Sequence, residues 1–266
     1  MNKIEGAIQT IHRLDMKNKN NIFFNDIYPI FKVFITVLYI VLLTSINKYD
    51  LMTTLSMSIY LIVIGMIYNI TVKEIWQRFK IVLALLVIIG ISNPILDRNI
   101  IYYIGNLPIT TGLISMITLI LKGFFSIISS YFLILSTNIE EICSGLKKIH
   151  LPDILIITIM LIYRYIILFL KEVQRIWTAY SLRTPKQKGI NYKVWGSMIG
   201  SLMIRSIDRA NIVYQSMELR GFNTENYFDN EYKIDRKSVL YLILSFIIIL
   251  IIRYVPIFEL IGNLFV

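Results

Sequence analysis

Residues 112–137 read GLISMITLILKGFFSIISSYFLILST, an almost unbroken apolar run. About 20 such residues in one helix cross a hydrocarbon core roughly 30 Å thick. Five further apolar runs occupy residues 30–46, 51–70, 81–96, 154–170 and 239–255. Hydrophobic residues fill 56% of the 266 positions, which exceeds what a soluble core requires. The sequence therefore predicts an all-α, polytopic membrane protein.

The distribution of lysine and arginine predicts which runs cross the membrane. Residues 138–237 hold 15 of the 27 Lys and Arg residues, and cytoplasmic loops carry an excess of these cations. Four crossings from a cytoplasmic N-terminus return the chain to the cytoplasm at residue 138. A fifth crossing by residues 154–170 would place the twelve cations of residues 171–237 outside. We therefore expect that run to stay on the inner side.

Hydropathy alone leaves the run at 154–170 open between a span and an interfacial helix. A central arginine such as Arg164 costs about 2.5–3.5 kcal/mol in a span, whereas each Leu, Ile or Phe returns about 0.3–0.6 kcal/mol. The charge argument, and not the hydropathy, favours the inner surface.

These arguments predict about five transmembrane helices in three regions. Residues 1–137 contribute about four spans, residues 138–237 form a cytoplasmic module with amphipathic helices, and residues 238–266 carry the last span. The N-terminus and the module face the cytoplasm from the cell membrane. A net charge of +10 is also found in nucleic-acid-binding proteins, but Lys and Arg retained in loops are the commoner cause in such a chain. We expect membrane lipid, and no nucleic acid, as a partner.

Two long helices of the module end in similar sequences. Pro152 and Asp153 suit the first turn of a helix, which we expect to run to Arg183. Thr184 precedes Pro185 and is therefore pushed away from helical dihedral angles. A second helix is predicted from about residue 193 to residue 220, with Gly221 suited to the left-handed position just past its end.

Arg183 and Arg220 thus lie at helix tips, each directly after a leucine. A cation at a helix C-terminus gains about 0.3–1 kcal/mol from the helix dipole, which would explain either arginine alone. Two matching tips in one basic module favour a second interpretation, in which both project into grooves of a partner. A guanidinium suits this role because its fixed donors bind carboxylates and carbonyls in pairs.

Catalytic and metal-binding patterns are weak in this sequence. His12 and His150 are its two histidines, and no nucleophile-base set or phosphate-binding glycine loop accompanies them. Glu140, Cys143 and His150 fall short of the usual three or four well-spaced ligands. We expect no enzyme activity, no metal site and no cofactor in this chain. Lys122 and Arg164 are notable because ionisable groups within apolar runs are costly and often functional.

Part of the module resembles the second signature of the T components of energy-coupling factor (ECF) transporters, specifically their cobalt-type, CbiQ-like members. The matching residues are Trp195-Gly196-Ser197 through Leu202, Arg205-Ser206-Ile207-Asp208-Arg209-Ala210, Val213-Tyr214 and Met217-Glu218-Leu219-Arg220-Gly221-Phe222. Further matches are Tyr28-Pro29-Ile30-Phe31-Lys32, Tyr163-Arg164-Tyr165 and Ala179-Tyr180-Ser181-Leu182-Arg183. The family often has an Ala-Arg-Gly-like first signature, whereas this chain has Leu182-Arg183-Thr184.

The resemblance implies a membrane scaffold whose cytoplasmic coupling helices dock on a pair of ABC ATPase subunits, which bind the ATP. The same protein would hold a substrate-binding S component, for cobalt or nickel or else for a vitamin. The implied docking residues are Leu182, Arg183, Thr184, Leu219, Arg220 and Gly221. The implied packing residues of the coupling module are Gly196, Gly200, Met198, Met203, Met217, Arg205, Asp208 and Arg209. A stand-alone membrane enzyme or channel is the alternative from a different class.

Overall fold

The computed structural model describes residues 27–67, 72–97, 100–104, 107–148, 151–185, 189–222 and 235–255, together with Gly6 and Gln9. The helices are α1 (Pro29–Thr44), α2 (Leu51–Ser56), α3 (Ser58–Ile67), α4 (Val72–Gly90), α5 (Ser92–Leu96), α6 (Thr111–Ser136), α7 (Ile139–Lys148), α8 (Asp153–Arg183), α9 (Tyr192–Leu219) and α10 (Arg236–Tyr254). Strands β1 (Ile100–Ile104) and β2 (Leu107–Thr110) form one antiparallel pair. The predicted all-α, polytopic membrane fold is confirmed, with this hairpin as a local addition.

The chain divides into two compact units. The first unit contains residues 1–20 and 138–233, and the second contains residues 21–137 and 234–266. Helices α7, α8 and α9 belong to the first unit, which we call the helical module. The other helices and the hairpin belong to the second, which we call the scaffold.

Helix α6 is the centre of the scaffold, where α1 to α5 all pack against it. Its buried face combines small residues, such as Ser115 and Thr118, with large ones, such as Phe125 and Phe132. Small residues let helix backbones approach closely where lipid gives no hydrophobic drive for association. The large side chains fill the remaining space. Helix α6 can therefore contact five neighbouring helices.

Two lysines connect α1 and α6 in a reciprocal way. Lys32 of α1 is buried, and its Nζ donates to the carbonyl oxygen of Ser136, the last residue of α6, at 2.9 Å. Lys122 of α6 donates in turn to the carbonyl oxygens of Thr44 and Ile46 at the end of α1. The last carbonyls of a helix have no partner within it and carry partial negative charge. Each lysine therefore satisfies the C-terminus of the other helix.

A third cation reaches the same end of α1 from the last helix. Arg253 of α10 donates through Nη2 to the carbonyl oxygen of Ser45 at 3.3 Å. At the opposite end of α1, the N–H of Tyr28 donates to Oγ of Ser238 at 3.0 Å. Helix α10 is therefore tied to both ends of α1.

Two of the predicted apolar runs are broken into shorter helices. The run at 81–96 is interrupted at Ile91, because Pro94 has no N–H for the carbonyl of Gly90 and its ring crowds that carbonyl. The run at 51–70 is interrupted at Met57, next to Ser56, whose hydroxyl donates back to the carbonyl of Met52.

Residues 71–80 fall between two of the predicted apolar runs, but α4 already begins at Val72 and includes most of them. This segment contains Lys73, Glu74, Gln77 and Arg78, which are good helix formers. Their polarity therefore gave no indication that the helix ends there.

Among the residues that the structure describes, three helices are long and apolar enough to cross a membrane, namely α6, α8 and α10. Shorter apolar helices lie at Pro29–Thr44, Leu51–Ile67 and Val82–Ile95. Length and composition thus admit α8 as a span, whereas the charge distribution assigns it to the inner surface. The five-span topology stays a prediction that rests on charge.

Gly112, at the start of α6, makes the closest backbone approach in the scaffold. A Cβ at this position would lie 2.5 Å from the carbonyl oxygen of Asp97 and 2.7 Å from that of Asn93. We expect Gly112→Ala to lower the thermal melting temperature in detergent, because overpacking against backbone costs about 1–3 kcal/mol. Gly65→Ala is the matched control, since its Cβ would meet only Cζ of Phe132 at 3.4 Å. Equal melting temperatures for the two variants would contradict the close approach.

Candidate functional site: the two helix tips of the module

Helix α9 ends in a backbone motif that depends on glycine. The N–H of Phe222 donates to the carbonyl of Met217 at 3.0 Å, and the N–H of Gly221 donates to that of Glu218 at 2.9 Å. This pair of bonds defines a Schellman motif, which needs a left-handed residue just past the helix end. Gly221 supplies it with a φ of +65°, as the sequence predicts. The motif fixes the backbone on both sides of Arg220.

Helix α8 ends in a different way, through a side chain. It stops at Arg183 as predicted, and Thr184 is its C-cap residue, with a φ of −129°. Both the N–H and the hydroxyl of Thr184 donate to the carbonyl of Tyr180, at 3.1 and 3.0 Å. Pro185 follows and cannot continue the helix. Thr184 thus closes this tip without a left-handed residue directly after Arg183.

Tyr180 also connects this tip to the start of α9. Its phenol oxygen accepts a hydrogen bond from the N–H of Asn191 at 3.2 Å. Asn191 is the N-cap residue of α9, and its side chain accepts from the N–H of Lys193 at 3.2 Å. The last turn of α8 and the first turn of α9 are therefore joined through one tyrosine.

The side chains at both tips are open to a partner. Leu182 is 76% exposed and Leu219 is 88% exposed, and Arg183 and Arg220 are exposed as well. Within the described part of the chain, neither guanidinium forms an ion pair. Each tip therefore presents an apolar side chain beside an unpaired fork of donors.

The two long helices also meet away from their tips, at a contact that we call the crossing. Glu172 of α8 is bonded through Oε1 to Arg205 of α9, and its Oε2 lies 3.4 Å from Nη1 of Arg175. The guanidinium of Arg209 lies over the ring of Tyr165, 5.9 Å from its centroid. The residues at the crossing are thus mainly charged and aromatic.

The ion pair at the crossing adds little to the stability of the folded chain. The Glu172 side chain is 23% exposed and that of Arg205 is 58% exposed. Ion pairs in such exposed settings contribute about 0.2–1 kcal/mol. Helix α9 has no buried side chain among the described residues, so no apolar core supplements the pair. The crossing orients the helices more than it stabilises them.

The implied packing residues of α9 have few neighbours in the described chain. A Cβ added at Gly196 or Gly200 would meet no described atom within 4 Å. Met203 and Asp208 are exposed, and Met198 and Met217 are half-buried. Arg205 and Arg209 make the contacts at the crossing. The close approach that Gly196 and Gly200 would permit therefore stays a prediction.

No group of three or more His, Cys, Asp or Glu side chains suited to a metal occurs among the residues described. His150 lies outside those residues, while Cys143 is buried on α7. Burial raises the pKa of the Cys143 thiol, and Glu140 raises it further. The thiolate form, which is the metal ligand, is therefore disfavoured.

Comparison with known families decides the kind of protein. A profile described as "CbiQ: Cobalt transport protein" matches residues 21–230. The chain belongs to the CbiQ family.

Individual CbiQ-like relatives cover the chain to different extents. Nickel permease LarQ of Lactiplantibacillus plantarum is 33% identical over 89 residues, which are 34% of this chain and 33% of LarQ. A putative fused cobalt transport protein CbiMQ of Methanocorpusculum labreanum is 32% identical over 144 residues, which are 53% of this chain and 24% of that protein. An uncharacterised protein of Methanocaldococcus jannaschii is 26% identical over 223 residues, which are 79% of this chain and 76% of that protein.

Sequence reasoning missed two residues of this CbiQ-family module. Glu172 was given no role, although it is the one acidic residue of α8 beyond Asp153. A single carboxylate among the Lys and Arg residues of α8 could have indicated an ion pair. Tyr180 lies within the first signature, but its role as acceptor for Asn191 depends on the path of the chain between the helices. No local pattern indicates that path.

Replacing Gly221 by alanine should open the end of α9. A left-handed alanine costs about 1–2 kcal/mol, so amide exchange of residues 221 and 222 should quicken about five- to thirtyfold. Hydrogen exchange measured by mass spectrometry on a peptide of residues 215–222 would test this. Gly196→Ala is the control, because its Cβ enters open space and alanine favours the helix interior. Unchanged exchange in Gly221→Ala would refute the need for a left-handed residue.

Proposed function

We propose that this CbiQ-family chain is the transmembrane coupling (T) component of an ECF-type importer. The observation that carries the proposal is the pair of exposed Leu-Arg tips at the ends of two long helices that contact each other. Each tip is closed by its own hydrogen bonds, so each arginine leaves its helix at a defined point. Because the backbone of each tip is already fixed, only the side chains lose freedom on binding, which favours their use in an interface.

The proposed partners are a pair of ABC ATPase subunits and a substrate-binding S component. Arg183 enters a groove on one ATPase subunit, and Arg220 enters a groove on the other. In each groove the guanidinium group meets carboxylate or carbonyl oxygens. Leu182 and Leu219 fill the apolar part of each groove. ATP binds to the ATPase subunits and not to this chain.

The mechanism transmits movement and involves no chemistry in this chain. ATP binding and hydrolysis change the separation of the two ATPases, and the helix tips follow their grooves. Helices α8 and α9 are about 46 and 42 Å long at 1.5 Å per residue, so a displacement at the tips reaches a distant S component. Packed helices shift between discrete arrangements and resist continuous deformation.

The proposed cargo is cobalt or nickel. The family is described by cobalt transport, and two relatives have names that refer to nickel and cobalt. The S component supplies the metal ligands in this proposal. A vitamin cargo is the alternative, and adjacent genes for the S component would separate the two.

Reversing the charge of both tips tests the proposal. Buried arginines at protein interfaces often contribute 2 kcal/mol or more each, which corresponds to roughly thirtyfold in affinity. We expect the double variant Arg183→Glu and Arg220→Glu to insert normally but to lose the ATPases on co-purification of the transporter. Lys148→Glu with Arg236→Glu is the control, because it makes the same net charge change at two exposed positions outside α8 and α9.

Two outcomes would overturn the proposal. One is unchanged recovery of the ATPases with the double variant. The other is labelling of cysteines placed at Ser181 and Ser216 from the outside of intact cells, because the tips must face the cytoplasm. Cargo uptake by the chain alone in vesicles would favour the stand-alone channel.

A further inference from the structure

The helices of the scaffold extend to different levels at the end where α6 begins. Helix α6 has 26 residues, whereas α1 has 16 and α10 has 19. The three helices are level at the other end, where Lys32 binds Ser136 and the N–H of Tyr28 binds Ser238. At 1.5 Å per residue, α1 and α10 therefore stop about 11–15 Å short of the start of α6.

The flank of α6 that packs against α4 stays apolar beyond the level at which α1 stops. A Cβ added at Gly123 of α6 would lie 2.7 Å from Cδ1 of Leu86 of α4. Ile88, two positions further along α4, is therefore near the level of Lys122, which binds the end of α1. Ile88 is 71% exposed, and Ile95 of α5 is 61% exposed. On this flank an apolar surface thus continues toward the start of α6.

The flank formed by α1 and α10 is polar at the same level. Thr44, Ser45 and Asn47 are all exposed there. Tyr254, at the end of α10, is 80% exposed, and tyrosine is enriched where a membrane meets water. A bilayer accommodates short helices by becoming locally thinner. This flank therefore suits lipid headgroups at a level where the α4 flank still suits acyl chains.

Two cations lie together at that level. Lys122 donates to the carbonyls of Thr44 and Ile46, and Arg253 donates to the carbonyl of Ser45 between them. A helix C-terminus carries only about half an elementary negative charge, so it does not neutralise two cations. Within the described residues neither cation forms an ion pair, and one hydrogen bond uses one of the five N–H donors of Arg253.

The two carboxylates described at this end are engaged with other groups. Both oxygens of Asp50 accept from Thr53, one from its N–H and one from its hydroxyl. Oδ1 of Asp97 accepts from the hydroxyl of Thr111, and Oδ2 lies 4.0 Å from Nζ of Lys48. The two cations at the end of α1 therefore keep their positive charge for another anion.

We infer that Lys122 and Arg253 bind the phosphate of a phospholipid whose headgroup lies at the end of α1. A guanidinium suits a phosphate because its planar donors bind two oxygens at once, and the lysine adds a compact positive charge. Exposed apolar side chains of the same helices, such as Val41 and Ile251, are available to the acyl chains. The site makes no use of the helix tips, so the inference is independent of the proposed function.

The first test measures lipid binding by the full-length chain. Native mass spectrometry in detergent, with a titration of dioleoylphosphatidylglycerol, gives the Kd of the bound lipid. We expect Arg253→Gln to weaken binding at least about tenfold, because hydrogen bonds to charged groups are the stronger ones. Its amide can still donate to the carbonyl of Ser45. Arg253→Lys keeps the charge and should bind much more tightly than Arg253→Gln.

The controls separate a phosphate site from other effects. Lys48→Gln removes a cation that faces Asp97 and should leave the Kd within about twofold of wild type. Dioleoylglycerol, which lacks the phosphate, should bind wild type and Arg253→Gln equally weakly. An equal loss of lipid in Lys48→Gln and Arg253→Gln would overturn the inference. Inorganic phosphate that binds wild type as tightly as the phospholipid would assign the site to a free anion and would also overturn it.

The second test measures the level of the headgroups and needs no change at the two cations. Single cysteines at Ser45→Cys and Ile88→Cys, in a Cys143→Ser background, are treated in nanodiscs with a membrane-impermeant maleimide. Both native residues are exposed and lie at similar levels along α6. We expect Ser45→Cys to be labelled and Ile88→Cys to be protected by acyl chains. Equal labelling, or protection of Ser45→Cys, would show that no headgroup lies at the end of α1.

Discussion

The reciprocal lysine contacts between α1 and α6 are the constraint on which the scaffold depends. The last carbonyls of a helix have no partner within it, so a helix end that is packed against other helices needs a donor from the protein. Lys32 and Lys122 provide donors at opposite ends of the antiparallel pair. They also fix the register of the two helices, because a shift of one turn, about 5.4 Å, would remove both contacts. The other scaffold helices then pack around this pair.

The helical module is built on a different principle. Its longest exposed helix, α9, has apolar side chains such as Trp195, Ile199 and Ile212 on its surface, and no described residue of α9 is buried. Helix α9 is held to α8 by caps, a tyrosine bridge and the charged crossing, each of which contributes little energy. A helix of this kind is suited to moving with partners, because little internal packing opposes its reorientation. The exposed apolar side chains of α9 are available for contact with lipid or protein.

Local signals predicted the features of the module that depend on local chemistry. The bounds of α8 and α9 followed from Pro152, Pro185 and Gly221, since proline and glycine restrict or permit backbone angles wherever they occur. The hairpin had a local signal too, because Gly105-Asn106 between two β-branched and aromatic runs is typical of a two-residue turn. The prediction of an all-α fold overlooked that signal. The start of α4 was missed because the apolar run that predicts this helix begins only at residue 81.

Features that join distant parts of the chain had no signal in the sequence. Lys32 and Ser136 are 104 positions apart. The sequence around a lysine in an apolar run is the same whether its side chain binds a carbonyl or extends to the membrane surface. The Glu172–Arg205 pair joins two helices whose facing sides no local pattern specifies. Such contacts follow from tertiary packing and become visible only in the structure.

The two helices end in different ways, and this difference limits which residues related sequences can have at each tip. Position 221 is confined to residues that tolerate a left-handed backbone, which in practice means glycine and, less well, asparagine. Position 184 has two solutions, since either a hydroxyl bonded one turn back or a flexible glycine can end the helix there. One tip can therefore drift in sequence while the other is held fixed. Threonine at 184 is thus a permitted evolutionary variant that leaves its neighbouring arginine exposed.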